Sequence, residues 1–293
     1  MKLGFVTTPT RENFEMGKRI GYECVELNEI DMLNITDDGI KQIVEMAEEN
    51  GMTVASIACA VSHLDADPVK KADANRYVMR AIEKAHLFGT DIVMTNAYTD
   101  LTDTIQGNIV KFRETFGEYA KAAEDAGVRI VIENCPHMVR EPIRFGNLAF
   151  SPEMWDVIFT EVPSMALGLE YDPSHLVWQN INIPKTIRMF KDRIYAFHAK
   201  DTRIIKENLE LVGSVAGKVT KSKFGGKFWE HCIPGLGDVD WKETFSALYS
   251  IGYNGPVFLE HEDPVFTGKR TEQGYIFGYR FLKPYMLDIC KKK

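Results

Sequence analysis

The sequence predicts an α/β protein, a (β/α)8 TIM barrel that forms a single domain over residues 1–293. The main observation is that eight short apolar segments, typical of buried strands, alternate with longer segments of helical periodicity. Apolar strands that alternate with helices indicate a parallel sheet. The length of 293 residues also falls in the range in which an α/β barrel forms one domain. An open, doubly wound sheet is the structural alternative.

In chain order, the predicted strands are KLGFVTT, ECVELNE, TVASIACA, DIVMTNA, VRIVIENC, MALGLEYD, RIYAFHAKD and GPVFLEHED. Between them, helical periodicity predicts helices in segments such as DDGIKQIVEMAEENG, ANRYVMRAIEKAHLFG, NIVKFRETFGEYAKAAEDAG and DWKETFSALYSIGY. Several of these segments end at a glycine, which commonly terminates a helix. In such a barrel, the C-terminal strand ends and the loops after them form the active-site face.

Composition and charge narrow the class of protein. Hydrophobic residues make up 45% of the chain and charged residues 26%, as in soluble globular proteins. The formal net charge of −7 at pH 7 argues against nucleic acid as the main partner. The N-terminal segment MKLGFVTTPT lacks the apolar region of a signal peptide, and no segment approaches the ~20 apolar residues of a membrane span. We therefore expect a cytoplasmic protein without a membrane partner.

The cysteines agree with a reducing compartment. They are scattered, odd in number and form no C-x-x-C pair, so neither a disulfide framework nor a zinc ribbon is indicated. The five positions are Cys24, Cys59, Cys135, Cys232 and Cys290.

Four side chains able to bind a metal close the fifth to eighth predicted strands: Glu133, Asp172, His198 and Glu260. A single carboxylate in such a position is readily explained as a turn or helix cap. Because the strand ends meet on one face of a barrel, the four side chains are together expected to share one pocket. This set suits one divalent ion per chain, with Mn²⁺ favoured and Zn²⁺, Co²⁺ or Mg²⁺ as alternatives. The ion would also offset the repulsion among three carboxylates.

Five motifs carry a resemblance to a known family. They are IENCP around Glu133, the D-x-x-H motif of Asp172 and His175, HAKD at residues 198–201, PGLGDVDW at residues 234–241 and GYNGPVFLEHED at residues 252–263. With these motifs the chain resembles the xylose isomerase-like TIM barrels, the sugar phosphate isomerase/epimerase superfamily, from KLGFVTT to its C-terminus. The resemblance implies that the four residues at the strand ends bind one divalent metal. It also implies that Glu133 and Glu260 flank the substrate as catalytic acid and base.

The DNA-repair branch of this superfamily, similar to endonuclease IV, holds three zinc ions with additional histidines. This chain retains His63 after the third strand and His175 in the D-x-x-H motif. Asn96 stands after the fourth strand, however, and no H-x-H pair follows HAKD. We therefore expect neither a trinuclear site nor a nucleic-acid substrate, and the acidic net charge agrees.

The predicted function is that of a divalent-metal-dependent epimerase or isomerase acting on a sugar or keto sugar. The enzyme would abstract a proton next to a carbonyl, and the metal would act as a Lewis acid that stabilises the enediolate. The sequence does not separate epimerisation from aldose–ketose isomerisation. One alternative is a lyase acting on a 3-keto sugar or glycoside, similar to a dehydratase or a C-glycoside deglycosidase. A more distant alternative is a non-catalytic sugar-binding barrel.

Two further histidines are candidates for the active site. His137 follows Glu133 within a long loop and is a candidate catalytic base, because an unperturbed imidazole titrates near neutrality. A solvated loop histidine is the alternative. In the resembling epimerases, the histidine at the position of His175 contacts the substrate or supports the metal. The alternative is that His175 caps a helix or forms a hydrogen bond in the barrel wall.

Other polar residues at strand ends are candidates for substrate binding. Lys200 and Asp201 close the HAKD motif and would contact a substrate hydroxyl or orient a ligand, unless they form an ion pair at the rim. His63, Asn96 and Glu26 follow or end earlier strands and would donate or accept hydrogen bonds with sugar hydroxyls. Structural roles that support the site are the alternative for each of these three.

Two long loops, residues 137–155 and 201–241, are expected to cover the substrate. Aromatic residues in or near them that would stack on a sugar are Trp178, Phe228 and Trp229. Three arginines, Arg140, Arg144 and Arg203, would bind an anion, but no phosphate-binding motif accompanies them. We therefore expect an unphosphorylated sugar or glycoside. From the resemblance we also expect a homo-oligomer, with a different second subunit as an alternative.

Overall fold

The computed structural model describes residues 1–140, 143–214 and 227–287. Its twelve strands are, in chain order, Lys2–Thr7 (β1), Cys24–Leu27 (β2), Thr53–Cys59 (β3), Ile92–Thr95 (β4), Arg129–Glu133 (β5), Met138–Arg140 (β6), Ile143–Phe145 (β7), Leu167–Tyr171 (β8), Ile194–Ala199 (β9), Asp201–Ile204 (β10), Trp229–Cys232 (β11) and Pro256–Leu259 (β12). Eight of them form a closed barrel in the order β1-β12-β9-β8-β5-β4-β3-β2. The barrel closes by parallel pairing of β1 with β12, where Lys2 lies opposite Pro256. Each of the eight predicted strands is present, so the predicted (β/α)8 barrel is confirmed.

Helices follow most barrel strands and cover the outside of the barrel. They are Arg11–Ile20 (α1), Asp37–Glu49 (α2), Pro68–Lys84 (α3), Ile105–Ala126 (α4), Pro152–Glu161 (α5), Ser174–Val177 (α6), Ile183–Met189 (α7), Lys206–Val212 (α8), Trp241–Ser250 (α9) and Thr271–Leu282 (α10), with short 3-10 turns at Ala85–Phe88, Gly268–Arg270 and Lys283–Tyr285. The described residues contain no helix that is long and apolar enough to span a membrane.

Local sequence signals explain where these helices begin and end. The long helix α4 begins after Thr104, whose hydroxyl accepts a hydrogen bond from the N–H of Gly107 at 3.0 Å. It ends at Gly127, which adopts the left-handed conformation that glycine tolerates best. Helix α3 begins six residues before the predicted segment, because the Asp67 carboxylate caps it and Pro68 fits the first helical turn.

The barrel interior has an apolar layer below a polar one. The apolar layer consists of Cys24, Ala58, Ile92, Met94, Val131, Ala196 and Phe258. Side chains alternate along a strand, so a residue two positions further on faces the same side. Glu26, Glu133 and His198 lie two residues after members of this layer and therefore also face inward. Large apolar side chains of the strands and helices form the continuous core outside the barrel.

Two antiparallel hairpins that the strand pattern does not predict lie in the two long loops. One pairs β6 with β7, with Met138 opposite Phe145, and the other pairs β10 with β11, with Asp201 opposite Cys232. The described parts of the expected covering loops are therefore partly built from regular structure. Residues 141–142 and 215–226 of these loops lie outside the described part of the chain, as does Cys290.

Candidate metal centre and active site

The four predicted metal ligands converge at the C-terminal end of the barrel. Glu133 is the last residue of β5, His198 lies one residue before the end of β9, and Asp172 and Glu260 directly follow β8 and β12. These four strands are neighbours in the barrel. One potential ligand atom from each residue lies within 4.8 Å of those from the other three. Asp172 is fully buried, Glu133 and His198 are nearly so, and the Glu260 side chain retains 20% exposure.

Three of these residues present buried atoms that make no hydrogen bond within the described part of the chain: Glu133 Oε1, Asp172 Oδ2 and His198 Nδ1. Buried polar atoms are nearly always paired, so convergent orphan atoms require an explanation. Three carboxylates and one imidazole form a donor set that divalent ions such as Mn²⁺ and Zn²⁺ accept. The side chains therefore fit a divalent cation both in chemistry and in their unsatisfied bonding capacity.

Lys200 places a fixed positive charge beside this ligand set. Its Nζ lies 2.7 Å from Glu260 Oε2 and 3.2 Å from Asp172 Oδ2, and the residue is 1% exposed. Burial by itself lowers the pKa of this amine, but the charges of Glu260, Asp172 and Glu262 raise it well above the usual value. Lys200 is therefore protonated, and its ammonium group lies within the carboxylate cluster.

His175 lies between two of the predicted ligands. Its Nε2 is 3.2 Å from Asp172 Oδ2 and 3.4 Å from Glu133 Oε1. Burial raises the pKa of Glu133, but the neighbouring imidazoles of His175 and His198 and the charge of Lys200 outweigh it, so the pKa lies well below its usual value. Glu133 is consequently a carboxylate. His175 is therefore close enough to support either the ligand set or a substrate bound there.

Asparagine side chains hold the predicted ligands in position. Asn96 Nδ2 donates to Glu133 Oε2 at 3.2 Å, so this residue contacts a carboxylate of the site. Asn134 accepts a hydrogen bond from the N–H of Asp172 at 2.7 Å and donates to its carbonyl at 2.9 Å. Asn147 donates to the Glu133 carbonyl at 2.8 Å. The sequence reasoning did not identify Asn134 or Asn147, because amides in loops have many roles.

Two further carboxylates, Glu26 and Glu170, lie beneath His198. The His198 Nε2 is 3.0 Å from Glu26 Oε1 and 3.1 Å from Glu170 Oε2, and both glutamates are fully buried. Burial and the neighbouring charge of Glu26 raise the pKa of Glu170 well above its usual value. The sequence reasoning missed Glu170, although its place two residues before Asp172 marks an inward-facing position on β8. Glu26 supports a histidine rather than facing open solvent.

His137 lies at the edge of the site. It is exposed, it has a positive φ of 45°, and its Nε2 is 3.3 Å from Tyr98 Oη. Single ligand-type atoms of Glu133, Cys135 and His137 lie within 4.8 Å of one another. Partial desolvation of the ring opposes an increase in the pKa of His137, but Cys135 beside it raises the pKa above its usual value. The imidazole lies close to Glu133, one of the two predicted proton-transfer residues.

Asp201 does not occupy the position expected of a substrate-binding residue. Its buried carboxylate accepts hydrogen bonds from the N–H groups of Gly235, Gly237 and Val239 and from Trp241 Nε1, at 2.8 to 3.2 Å. A Cβ atom at Gly237 would lie 2.2 Å from Asp201 Oδ1, which explains a glycine there. Asp201 is thus the anchor of the PGLGDVDW loop, which corrects the expected substrate contact.

His63 is also placed away from any substrate. It is fully buried, with Nε2 2.6 Å from Thr95 Oγ1 and Nδ1 3.1 Å from Tyr119 Oη. Burial lowers its pKa to about 3. Both ring nitrogens are engaged inside the protein, so the expected contact with a sugar hydroxyl is replaced by a structural role.

A small cavity of about 160 Å³ lies next to the ligand set. It is lined by Cys135, Pro136, His137, Met138, His175, Trp178, Lys227, Trp229 and His231. Trp178 and Trp229 stack with ring centroids 5.3 Å apart, whereas Phe228 is almost completely buried. The cavity therefore offers aromatic surface beside His175.

The arginines considered for anion binding make other contacts. Arg203 is exposed and pairs with Glu230, and Arg144 is exposed and donates to the Leu101 carbonyl. The side chain of Arg140 lies outside the described part of the structure. Neither described arginine therefore contributes to a phosphate site in this arrangement.

The closed barrel and the polar cluster at its C-terminal end define a class of proteins, the TIM barrels with a carboxylate–histidine site at the strand ends. The chain matches the family model of the xylose isomerase-like TIM barrel over residues 14–285. It belongs to that family.

Individual relatives are distant but span nearly the whole chain. An inosose dehydratase of Lactiplantibacillus plantarum is 21% identical over 97% of this chain and 86% of its own length. A solved D-psicose 3-epimerase from Clostridium cellulolyticum H10, with D-tagatose, superimposes with a TM-score of 0.72 at 18% identity, covering 98% of this chain and 99% of the other. The IolI protein with a bound zinc atom gives a TM-score of 0.74 at 18% identity, covering 97% and 98%. At these identities the likeness establishes the fold.

Proposed function

We propose that this protein is a divalent-metal-dependent epimerase or isomerase that acts on a sugar or keto sugar by removing a proton next to a carbonyl. The observation that carries the proposal is the convergence of Glu133, Asp172, His198 and Glu260, three of which present buried atoms without hydrogen bonds. We assign one divalent ion per chain to these four residues, with Mn²⁺ or Zn²⁺ as the first candidates. The zinc atom in the IolI structure and the sugar in the D-psicose 3-epimerase structure support this assignment.

Glu133 and Glu260 are the proposed proton-transfer residues. Burial opposes ionisation, but the charge of Lys200 lowers the pKa of Glu260, so both carboxylates are ionised and able to accept a proton. They extend from β5 and from the residue after β12, which lie on different sides of the ligand set. One would remove the proton and the other would return it. Return to the opposite face inverts the carbon, and return to the neighbouring carbon isomerises the sugar.

The remaining residues would bind and orient the substrate. Lys200 would donate a hydrogen bond to a substrate oxygen, because its ammonium lies 2.7 Å from Glu260 Oε2 and carries a fixed proton. His175 would contact the substrate beside Glu133, and His137 would act as an additional base at the edge of the site. When bound, the ion would supply Lewis-acid stabilisation of the negative charge that develops on the substrate oxygens.

A lyase acting on a 3-keto sugar or related ketone is the second candidate. The same proton abstraction can be followed by loss of a hydroxyl group instead of reprotonation, so the two reactions require the same carboxylates. The specific observation in its favour is the similarity to an inosose dehydratase over 97% of the chain. His137 would then protonate the leaving oxygen.

Incubation with keto sugars in D2O tests the proposal and separates the two reactions. The metal-loaded enzyme is expected to incorporate deuterium at the carbon next to the carbonyl, detected by NMR, and product analysis distinguishes an epimer or isomer from a dehydrated product. Glu133→Gln and Glu260→Gln should each abolish incorporation. Glu161→Gln, which changes a surface ion pair with Arg113, is the matched control. No exchange with any keto sugar or inosose by the loaded enzyme would contradict the proposal.

A further inference from the structure

We propose that Glu26 is the positioning residue that sets the orientation and tautomer of His198, and that it thereby controls metal affinity without contacting the ion. The inference rests on the proposed function in one respect, because it takes His198 as a metal ligand. It adds a residue on the opposite wall of the barrel that determines whether His198 is ready to bind.

The two ring nitrogens of His198 face different groups. Nε2 lies 3.0 Å from Glu26 Oε1, with the geometry of a hydrogen bond, and Nδ1 lies 3.0 Å from Glu260 Oε2, within the ligand set. A neutral imidazole carries its proton on one nitrogen and a lone pair on the other. If Nε2–H donates to Glu26, the lone pair is on Nδ1, where the other three ligands converge.

The contact crosses the interior of the barrel. Glu26 lies on β2 and His198 on β9, which are not neighbours in the closed sheet. The glutamate is fully buried, and its second oxygen, Oε2, has no hydrogen-bond partner among the residues that the structure describes. A buried carboxylate with an unpaired oxygen disfavours folding. Its single hydrogen bond to His198 is therefore best explained by a role in the site rather than by stability.

Glu170 provides a comparison within the same environment. Its Oε2 lies 3.1 Å from the same His198 Nε2, and it is as buried as Glu26, but neither of its oxygens makes a hydrogen bond with the residues described. The geometry thus assigns the accepting role to Glu26. Substitution of Glu170 by the equally large glutamine replaces the carboxyl group beside His198 Nε2 while leaving the Glu26 hydrogen bond in place.

The test compares metal affinity in Glu26→Leu, Glu26→Gln and Glu170→Gln, measured by competition between the protein and a chelator for Zn²⁺. The visible absorption of bound Co²⁺ reports whether the coordination changes. We expect Glu26→Leu to weaken binding by about 10- to 100-fold and to alter the Co²⁺ spectrum. Glu26→Gln should lose less metal affinity than Glu26→Leu, because its amide oxygen still accepts a hydrogen bond. Glu170→Gln should also lose less metal affinity than Glu26→Leu. Asp100→Asn, a buried carboxylate paired with Lys111 outside the site, controls for general destabilisation.

Wild-type affinity together with an unchanged Co²⁺ spectrum in Glu26→Leu would overturn the inference, as would an equal or larger loss in Glu170→Gln. If Glu26→Leu does not fold, NMR of the zinc-loaded wild-type protein with ¹⁵N-labelled histidine tests the inference instead, because it determines which nitrogen of His198 carries the proton. A proton on His198 Nε2 supports the inference, and a proton on Nδ1 contradicts it. A wild-type protein that binds no ion would contradict the proposed function as well, whereas unchanged binding in Glu26→Leu contradicts only the role of Glu26.

Discussion

The Nζ of Lys200 lies 2.7 Å from Glu260 Oε2, so one of the predicted metal ligands is paired with a buried ammonium group. The same nitrogen is 3.2 Å from Asp172 Oδ2 and 3.4 Å from Glu262 Oε2. Three carboxylates therefore share one fixed positive charge. This arrangement links the stability of the barrel end to the electrostatics of the proposed site.

Lys200→Met should destabilise the protein when a chelator is present. Removal of one partner from a buried charge cluster leaves Glu260 and Asp172 uncompensated, and such losses are typically about 3 kcal/mol or more in the free energy of unfolding. A divalent ion should restore more stability to the variant than to the wild type, because it supplies the missing positive charge. Urea unfolding with chelator and with Mn²⁺ measures both quantities. The control Lys84→Met removes an ion pair with the exposed Asp37 and should change the free energy of unfolding little. An equally small change in Lys200→Met would contradict the account.

A divalent ion should also raise the thermal stability of the wild-type protein. A ligand that binds only the native state stabilises it by about 2.7 kcal/mol when its concentration is 100 times the dissociation constant. Asp172→Asn removes one of the three carboxylate charges and should abolish most of this gain. Asp100→Asn should lower the melting temperature but retain the increase caused by the ion. Thermal unfolding monitored by circular dichroism, with and without metal, decides between these outcomes.

His63 should make the protein sensitive to acid. Its pKa is about 3 in the folded protein because it is buried, whereas an unfolded histidine has a pKa of about 6.5. Below pH ~6.5 His63 binds a proton in the unfolded chain but stays neutral in the folded protein. The contribution of His63 to stability is therefore fully present above pH ~6.5. It is lost by up to about 1.4 kcal/mol per pH unit as the pH falls towards 3. His63→Gln should reduce the slope of unfolding free energy against pH between about 6 and 4; an unchanged slope would contradict a buried neutral histidine.

Asp201→Asn should loosen the PGLGDVDW loop without removing the metal. The carboxylate accepts hydrogen bonds from three backbone N–H groups and one indole of this loop, and an amide nitrogen in its place would face donors. Hydrogen bonds to a charged group contribute about 1.5 to 3 kcal/mol each, so a loss of roughly that size or more is expected. Hydrogen exchange at Gly235 and Gly237 should accelerate, while metal content stays unchanged. Slow exchange in the variant would show that another group holds the loop.

Much of the architecture was predictable because its signals are local. The alternation of apolar strands with capped helices gave all eight barrel strands in order, and the strand ends placed Glu133, Asp172, His198 and Glu260 on one face. The convergence of these four follows directly from barrel geometry, in which neighbouring strand ends lie side by side.

The remaining features depend on contacts between distant residues. The roles of Asp201 and His63 could not be derived from strand position, because hydrogen bonds to residues 32 to 56 positions away decide them. Glu170 lies within an apolar segment and shows its importance only once β8 and β9 place it beside His198. The two hairpins in the covering loops likewise lack the turn signals that identify short hairpins.

The central claim is that Glu133, Asp172, His198 and Glu260 form one divalent-ion site, and elemental analysis of the gently purified protein tests it most directly. Manganese, iron, cobalt, nickel, zinc and magnesium are measured in the wild type and in a Glu133→Gln, Glu260→Gln double variant, each also after incubation with added metal. The account predicts one tightly held ion per chain in the wild type and none in the double variant. A wild-type protein that holds no ion even after metal is supplied, or a double variant that holds it equally well, would contradict the account.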